Sequence, residues 1–302
     1  MSDPKAIGYK TSVNPDRKSS VLMWTLISSL FLVSACAAPF EEMGRTYQKK
    51  TITQVREGES CPQCDLRYQN FANLNFMGSN FKGAYFFNVN FNRTNLVGTD
   101  FESATLVLAD IERADLSNAN LEKTDLTRAN MYASTLRGAN LNFAVLNEAN
   151  MEAVELTLAT LTTASLQGTN LTNAFADRAD FRNADLRGST LAGADLTNAN
   201  MAGADLRNSD LSGANLTMTN LQKAKLQGAN LRGAIIDYTT LTEADMSGAD
   251  LREARIYGAN LKRANFTGAD LYGAVISSVL KSQTIFCDAR MPKGKRGSCK
   301  TD

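Results

Sequence analysis

The chain has 302 residues, 32 Lys plus Arg against 31 Asp plus Glu for a formal net charge of +1, and no histidine. Near-neutrality argues against a strong polyelectrolyte partner. The lack of histidine excludes Ser-His-Asp and Cys-His catalysis, histidine metal sites and histidine pH switching.

Residues 1–40 read as a targeting or anchoring segment. Lys5, Lys10, Arg17 and Lys18 form a positive region, and Val21–Phe40 follows without a charged residue. The most apolar stretch, Val21 to Val33, has signal-peptide length. It ends in Val33-Ser34-Ala35-Cys36, which resembles a bacterial lipobox; that resemblance implies acylation of the Cys36 thiol and cleavage just before it. Two other readings stand beside it. Val21–Phe40 stays as an uncleaved anchor with the basic side cytoplasmic, or a signal peptidase cuts near Ala35 or Ala37 and releases a soluble protein. All three place the rest of the chain outside the cytoplasm.

Residues 41–64 read as a linker and N-terminal cap, ending in Cys61-Pro62-Gln63-Cys64. A Cys-x-x-Cys pair suggests thiol-redox chemistry when it opens a helix in a βαβ context. No such context surrounds it here, so a structural staple is the competing reading.

From residue 65 to 286 every fifth position is apolar. The series Leu66, Phe71, Phe76, Phe81, Phe86, Phe91, Leu96 continues without a phase break to Ile276 and Phe286, interrupted only by Ala176 and Lys281. Five is neither the helical 3.6 nor the strand period of 2, so the chain must turn a corner about every five residues and stack coil on coil. Two positions before each central residue, from Ser79 onward, stands a small side chain (Ala84, Val89, Thr94, Thr99). Asp or Asn often precedes the central residue, as in Ala184-Asp185-Leu186. Fifteen of the 20 glycines lie in this region, each two positions after a central residue, and no proline does. The glycines mark turns that use positive φ. The missing prolines fit a ladder that needs every N–H. Phe175 and Phe181 are the candidates to compensate for the small Ala176.

Residues 287–302 close the chain with Cys287, Cys299 and a basic run of Arg290, Lys293, Lys295, Arg296 and Lys300. Such a run meets anionic lipid or acidic partners, or serves as a solvated end that blocks end-to-end stacking.

These Ala-(Asp/Asn)-Leu-x-Gly units resemble the pentapeptide-repeat family over Asp65–Phe286. The resemblance implies an all-β fold, a right-handed quadrilateral β-helix with four repeats per coil. It implies about eleven coils, hence a rod of roughly 50 Å at the ~4.8 Å strand spacing. Thr51–Leu66 looks like the short helix and Cys-x-x-Cys-Asp-Leu lead-in of exported members of bacteria and thylakoid lumens, and Phe286 to Cys299 resembles their C-terminal closure. In such a rod the two cysteine pairs stand at opposite ends, too far apart to cross-bond. The disulfides, if formed, are therefore Cys61–Cys64 and Cys287–Cys299, and a four-cysteine metal site fails on the same distance.

The array has no insertion to carry a binding loop, so function is expected on flat faces. Residues twenty apart stack in such a coil, which gathers Tyr68, Tyr85, Phe87, Val107 and Leu108 on one face as a candidate protein-contact patch. The alternative is that Glu41–Glu59 folds over this patch as a cap through Met43, Tyr47, Ile52 and Val55. DNA mimicry, an activity of some family members, is disfavoured by the 23 acidic and 19 basic residues of the array, 65–286, whose signs are interleaved. The Asp/Asn column suggests turn hydrogen bonding rather than calcium binding. The expectation is a non-enzymatic, cofactor-free scaffold of the cell envelope. It is membrane-anchored by its N-terminus and faces the periplasm, with an unidentified protein partner and no nucleic acid. A soluble protein of the periplasm or thylakoid lumen is the alternative location. Thiol-redox chemistry at Cys61 and Cys64 is the alternative function, and topoisomerase inhibition by DNA mimicry ranks below both.

Overall fold

The computed structural model describes residues 48–49 and 58–299. Cys36, the apolar Val21–Phe40 and most of the expected cap fall outside the described residues.

The repeat is built from one device. In most five-residue units the N–H three residues after the central side chain donates back to the central carbonyl, as Leu74 does to Phe71 at 3.2 Å and Ala84 to Phe81 at 3.0 Å. This closes a β-turn whose third residue carries positive φ. Glycine occupies that place often, as at Gly98 (φ +64), but Leu108 (φ 57) and Leu158 (φ 62) adopt the same backbone. The Asx residue before the centre holds the turn from outside. Asn70 Oδ1 accepts the Ala72 N–H at 3.1 Å, and Asp115 Oδ1 accepts that of Ser117 at 2.9 Å.

Successive units meet the chain twenty residues on. Parallel bridges join Asp65 to Tyr85, Asn70 to Asn90, Asn75 to Asn95 and Asn80 to Asp100, and the offset persists to Asp270 and Arg290. Four five-residue sides therefore make one coil. Side-chain amides extend the ladder outside, as Asn140 Nδ2 donates to Asn120 Oδ1 at 3.2 Å. Inside, buried threonines in the small slot donate to a carbonyl of the preceding coil, Thr94 to Phe71 and Thr239 to Leu216, at 2.8 and 2.6 Å. Threonine thus fills the small slot with its hydroxyl satisfied, which is what burial of that group requires.

The core is the column of central side chains, buried from Leu66 to Leu271. Its N-terminal end is aromatic: Phe71 stacks on Phe91 at 5.5 Å, Phe81 stacks on Phe101 at 5.6 Å, and Phe71 meets Phe76 edge-on at 5.2 Å. Ala176 is buried, but Phe175 does not compensate for it. Phe175 stands in the outward Asx column, bridged to Glu155 and Asp195, and is 53% exposed. The alternation that sends residue 176 inward sends residue 175 outward. Phe181 is buried as expected.

Two regions depart from isolated bridges. At the N-terminal end β1 (Gln48–Lys49) pairs in parallel with β2 (Cys64–Asp65), Gln48 opposite Cys64 and Lys49 opposite Asp65. A strand thus stands in the described part of the segment expected to form a helical cap, and the described residues contain no helix. Near the other end β3 (Arg255–Tyr257) and β4 (Val275–Ser277) form a continuous parallel pair.

Candidate functional site

The twenty-residue register assembles the patch that the spacing suggests. Tyr85 lies in the ladder between Asp65 and Thr105, and Phe87 follows two residues on. Tyr68, at a turn corner with φ 60, sets its ring edge-on to Phe87 at 5.6 Å, and Phe87 lies 6.5 Å from Tyr85. Arg67 places its guanidinium 5.1 Å from the Tyr85 ring centre, within cation–π range. The same guanidinium grips Asp65 through Nε and Nη2 at 2.8 and 2.6 Å, which raises the Arg67 pKa above its ordinary value. Val107 and Leu108 continue the face on the next coil. Tyr68 is 64% and Leu108 42% exposed, while Tyr85, Phe87 and Val107 are half-buried. The face is therefore an aromatic and aliphatic surface pinned by one arginine.

A second apolar face went unnoticed in the sequence. Met218 and Tyr238 occupy one corner column, and Ile235, Arg255 and Val275 one ladder column, with Tyr257 beside them. Tyr238 and Tyr257 meet edge-on at 5.3 Å. The neighbouring Tyr257 phenol raises the Tyr238 hydroxyl above the usual tyrosine range. Below them Arg255 forks onto nearly buried Asp237 through Nε and Nη2 at 3.1 and 2.6 Å. The available signal was bulky residues at slots twenty apart that elsewhere hold polar ones.

Elsewhere on the array many charges are neutralised locally. Arg187 and Arg207 share a column, yet each forks onto the aspartate two residues before it, with Nε at 2.8 Å and Nη2 at 2.6 Å in both cases. Each bond holds the Asp185 or Asp205 carboxyl below its ordinary value.

Cys61 and Cys64 are brought to bonding distance with Cα atoms 5.6 Å apart, and both side chains are buried, at 1% and 2% exposure. They belong to the first coil, where the Cys61 N–H donates to the Asn80 carbonyl at 2.8 Å and the Cys64 carbonyl accepts from Tyr85 at 2.8 Å. The setting supplies neither the exposure nor the helix N-terminus that a reactive thiolate uses. Cys287 and Cys299 also stand at bonding distance, at the far end of the array, with Cys299 exposed and Cys287 half-buried. Asp288 joins them in a group whose ligand atoms lie within 4.8 Å of one another, with the two sulfurs already directed at each other. Among the described residues no helix is long and apolar enough to cross a membrane.

The family model described as pentapeptide repeats matches the chain in eight copies between residues 63 and 279. Among solved structures the chain is similar to HetL, a pentapeptide repeat protein involved in heterocyst differentiation regulation from the cyanobacterium Nostoc sp. strain PCC 7120. Identity is 28%, the match covers 81% of this chain and 95% of that one, and the TM-score is 0.53. A pentapeptide repeat protein from the cyanobacterium Cyanothece 51142 is 34% identical over 28% of this chain and 58% of that one, with a TM-score of 0.28. One from the Arabidopsis thaliana thylakoid lumen is 33% identical over 28% of this chain and 60% of that one, also with a TM-score of 0.28. No curated protein matches the chain.

Proposed function

This chain belongs to the pentapeptide-repeat family, whose right-handed quadrilateral β-helix accounts for the twenty-residue ladder, and on that premise we propose that it is a non-enzymatic scaffold that binds a protein partner on a face. The observation that carries the reading is the assembly of Tyr68, Tyr85, Phe87, Val107 and Leu108, with Arg67, into one solvent-facing patch that holds three aromatic rings against two on the second apolar face. Aromatic residues and arginine are the side chains that dominate protein interfaces, because they bury much area for little lost entropy. The absence of histidine supports a non-enzymatic role.

The rod has about eleven coils at the ~4.8 Å strand spacing and stands outside the cytoplasm, anchored through its N-terminus by lipidated Cys36. Its two cysteine pairs are disulfides that staple the frayed ends. Support comes from the basic-then-apolar segment before Cys36 and from cysteines confined to the two array ends.

Site-specific photo-crosslinking in intact cells tests the contact. A crosslinker at position 68 or 108 is expected to capture one protein that a crosslinker at polar Asn198 does not, and Leu108→Asp is expected to abolish the capture. Equal capture from all three positions overturns the reading. So does a Leu108→Asp variant whose main defect is lost stability, because the patch is then covered by the chain's own Glu41–Glu59. Cys36→Ser tests the anchor separately: the lipidated form is released from membranes by this change, whereas an uncleaved span is not.

A further inference from the structure

The C-terminal end of the array differs from the rest of its core. Central side chains from Leu66 to Leu271 are at most 1% exposed, but Ile276 and Phe286, in the same slot, are only half-buried, as is Met291. The cause is a change of path. After Arg290 the chain leaves the coil: the Met291 N–H donates to the Lys295 carbonyl at 2.7 Å, Gly294 donates to Met291 at 2.8 Å, and Arg296 pairs antiparallel with Arg290. Gly297 then crosses the coil end so closely that a Cβ there would overlap the Phe286 carbonyl, and its N–H donates to Ala289 at 2.8 Å. A loop held this way bridges the last coil without filling it.

Beneath the loop lies a cavity of about 600 Å³. Its apolar part is Ile276, Phe286 and Met291, and its polar part is Lys293, Lys295 and Arg296. One face of the Phe286 ring is already used, stacked on Phe266 at 5.2 Å. The charge is one-sided. Between Cys287 and Cys299 the sequence has Arg290, Lys293, Lys295 and Arg296 against Asp288 alone. Arg290 is committed elsewhere, 3.4 Å from Asp270 and 4.1 Å over the Tyr272 ring. Arg296 donates to a neutral acceptor, the Asp288 backbone carbonyl at 3.1 Å, and makes no ion pair among the described residues. A floor of apolar carbon beside three cations complements a ligand with an apolar body and an anionic head. The volume falls within the range of small-molecule sites, about 300–1,000 Å³.

We propose that this cavity binds a single-chain anionic amphiphile. The tail lies against Ile276, Phe286 and Met291, and Lys293, Lys295 and Arg296 hold its carboxylate or phosphate head. The apposition of Cys287 and Cys299 keeps the cationic loop over the apolar floor, so loop and floor form one site.

Photolabelling of the full chain with dodecanoic acid carrying a diazirine near its tail end, at about pH 8 where the head is ionised, tests the site. Peptide mapping is expected to find adducts around Ile276, Phe286 and Met291. An excess of dodecanoate or dodecyl phosphate is expected to remove them, and neutral dodecanol is not. The triple variant K293E/K295E/R296E should lose about tenfold or more of this labelling, as charge reversal at a recognition site does, with its circular dichroism unchanged. Met291→Lys, which spares the final coil, should lose it as well. Labelling confined to Val21–Phe40, equal competition by dodecanol, or competition by phosphatidylglycerol vesicles but not by dodecanoate overturns the proposal.

Discussion

The ring of Tyr238 occupies the space that a Cβ on Gly258 would take: its Cδ1 and Cε1 carbons each lie 2.8 Å from that position. Gly258 stands twenty residues on, at the same corner of the next coil, so the ring lies along the corner column and reaches Tyr257 edge-on. The bare corner therefore shapes the second apolar face as well as turning the chain.

Gly258→Ala and Gly268→Ala separate these two roles. Both glycines have similar φ, +64 and +67, but nothing lies within 4 Å of a Cβ at Gly268. The left-handed backbone alone costs an alanine about 1–2 kcal/mol. Gly268→Ala should lose that much in denaturant unfolding. Gly258→Ala should lose about 1 kcal/mol more, since its neighbour is an aromatic ring that must rotate away. It should also bring the Tyr238 titration back toward the ordinary tyrosine value. Equal losses for the two variants would show that the ring yields freely.

Much of this architecture was legible in the sequence because the constraint is local and repeated. A central side chain, a small slot and a positive-φ corner recur every five residues, and the first two are each written in a narrow class of residues. Register followed from the four sides per coil that the family resemblance implies, and with that number the spacing places Tyr68, Phe87 and Leu108 on one face. What escaped were features that depend on the relation between coils. The outward place of Phe175 follows from the same alternation that buries Ala176, yet its size suggested a core role. The second face is made by Tyr238, Arg255 and Tyr257, which no motif connects. The cavity arises where the chain abandons the repeat, so the repeat says nothing about it.

Leu158 tests the strain at the corners in the opposite sense. It has φ 62 and an exposed side chain, so the fold gains little from its burial to offset the left-handed backbone. Asparagine tolerates this region through local hydrogen bonding, and Asn198 stands at the same corner two coils later with φ 59. Leu158→Asn should stabilise the array by about 0.5–1 kcal/mol, read as a higher denaturation midpoint with unchanged slope. A destabilised variant would mean that the exposed leucine is held by a contact.

The aspartate–arginine forks predict an acid-sensitive surface. Asp185, Asp205 and Asp250 have carboxyl pKa values held below the ordinary one, chiefly by side-chain hydrogen bonds from Arg187, Arg207 and Arg252. A depressed folded-state pKa contributes stability that is present above the unfolded value, about 3.9, and is lost as pH falls through the folded value. Stability should therefore be flat from about pH 8 to pH 5 and decline below about pH 4. The D185N/D205N/D250N variant should show a shallower decline. The effect should also shrink in high salt, because the arginines are exposed and screened.

The two cysteine pairs should differ in their response to reductant. Thiol–disulfide exchange needs direct attack on a sulfur, so access governs its rate. Cys61 and Cys64 are enclosed in the first coil beneath backbone hydrogen bonds to Asn80 and Tyr85, and reaching them requires that coil to open. Cys299 is exposed and Cys287 half-buried, so attack there requires no unfolding. Brief treatment with a dithiol followed by iodoacetamide should label Cys287 and Cys299 well before Cys61 and Cys64, as read by peptide mass. Added denaturant should erase the difference. The order also decides between staple and redox centre at the N-terminal pair. A redox centre must exchange in the folded state, so first labelling at Cys61 or Cys64 would favour thiol chemistry there. Labelling confined to the C-terminal pair would leave that pair as the one whose opening uncovers the cavity floor at Ile276 and Phe286.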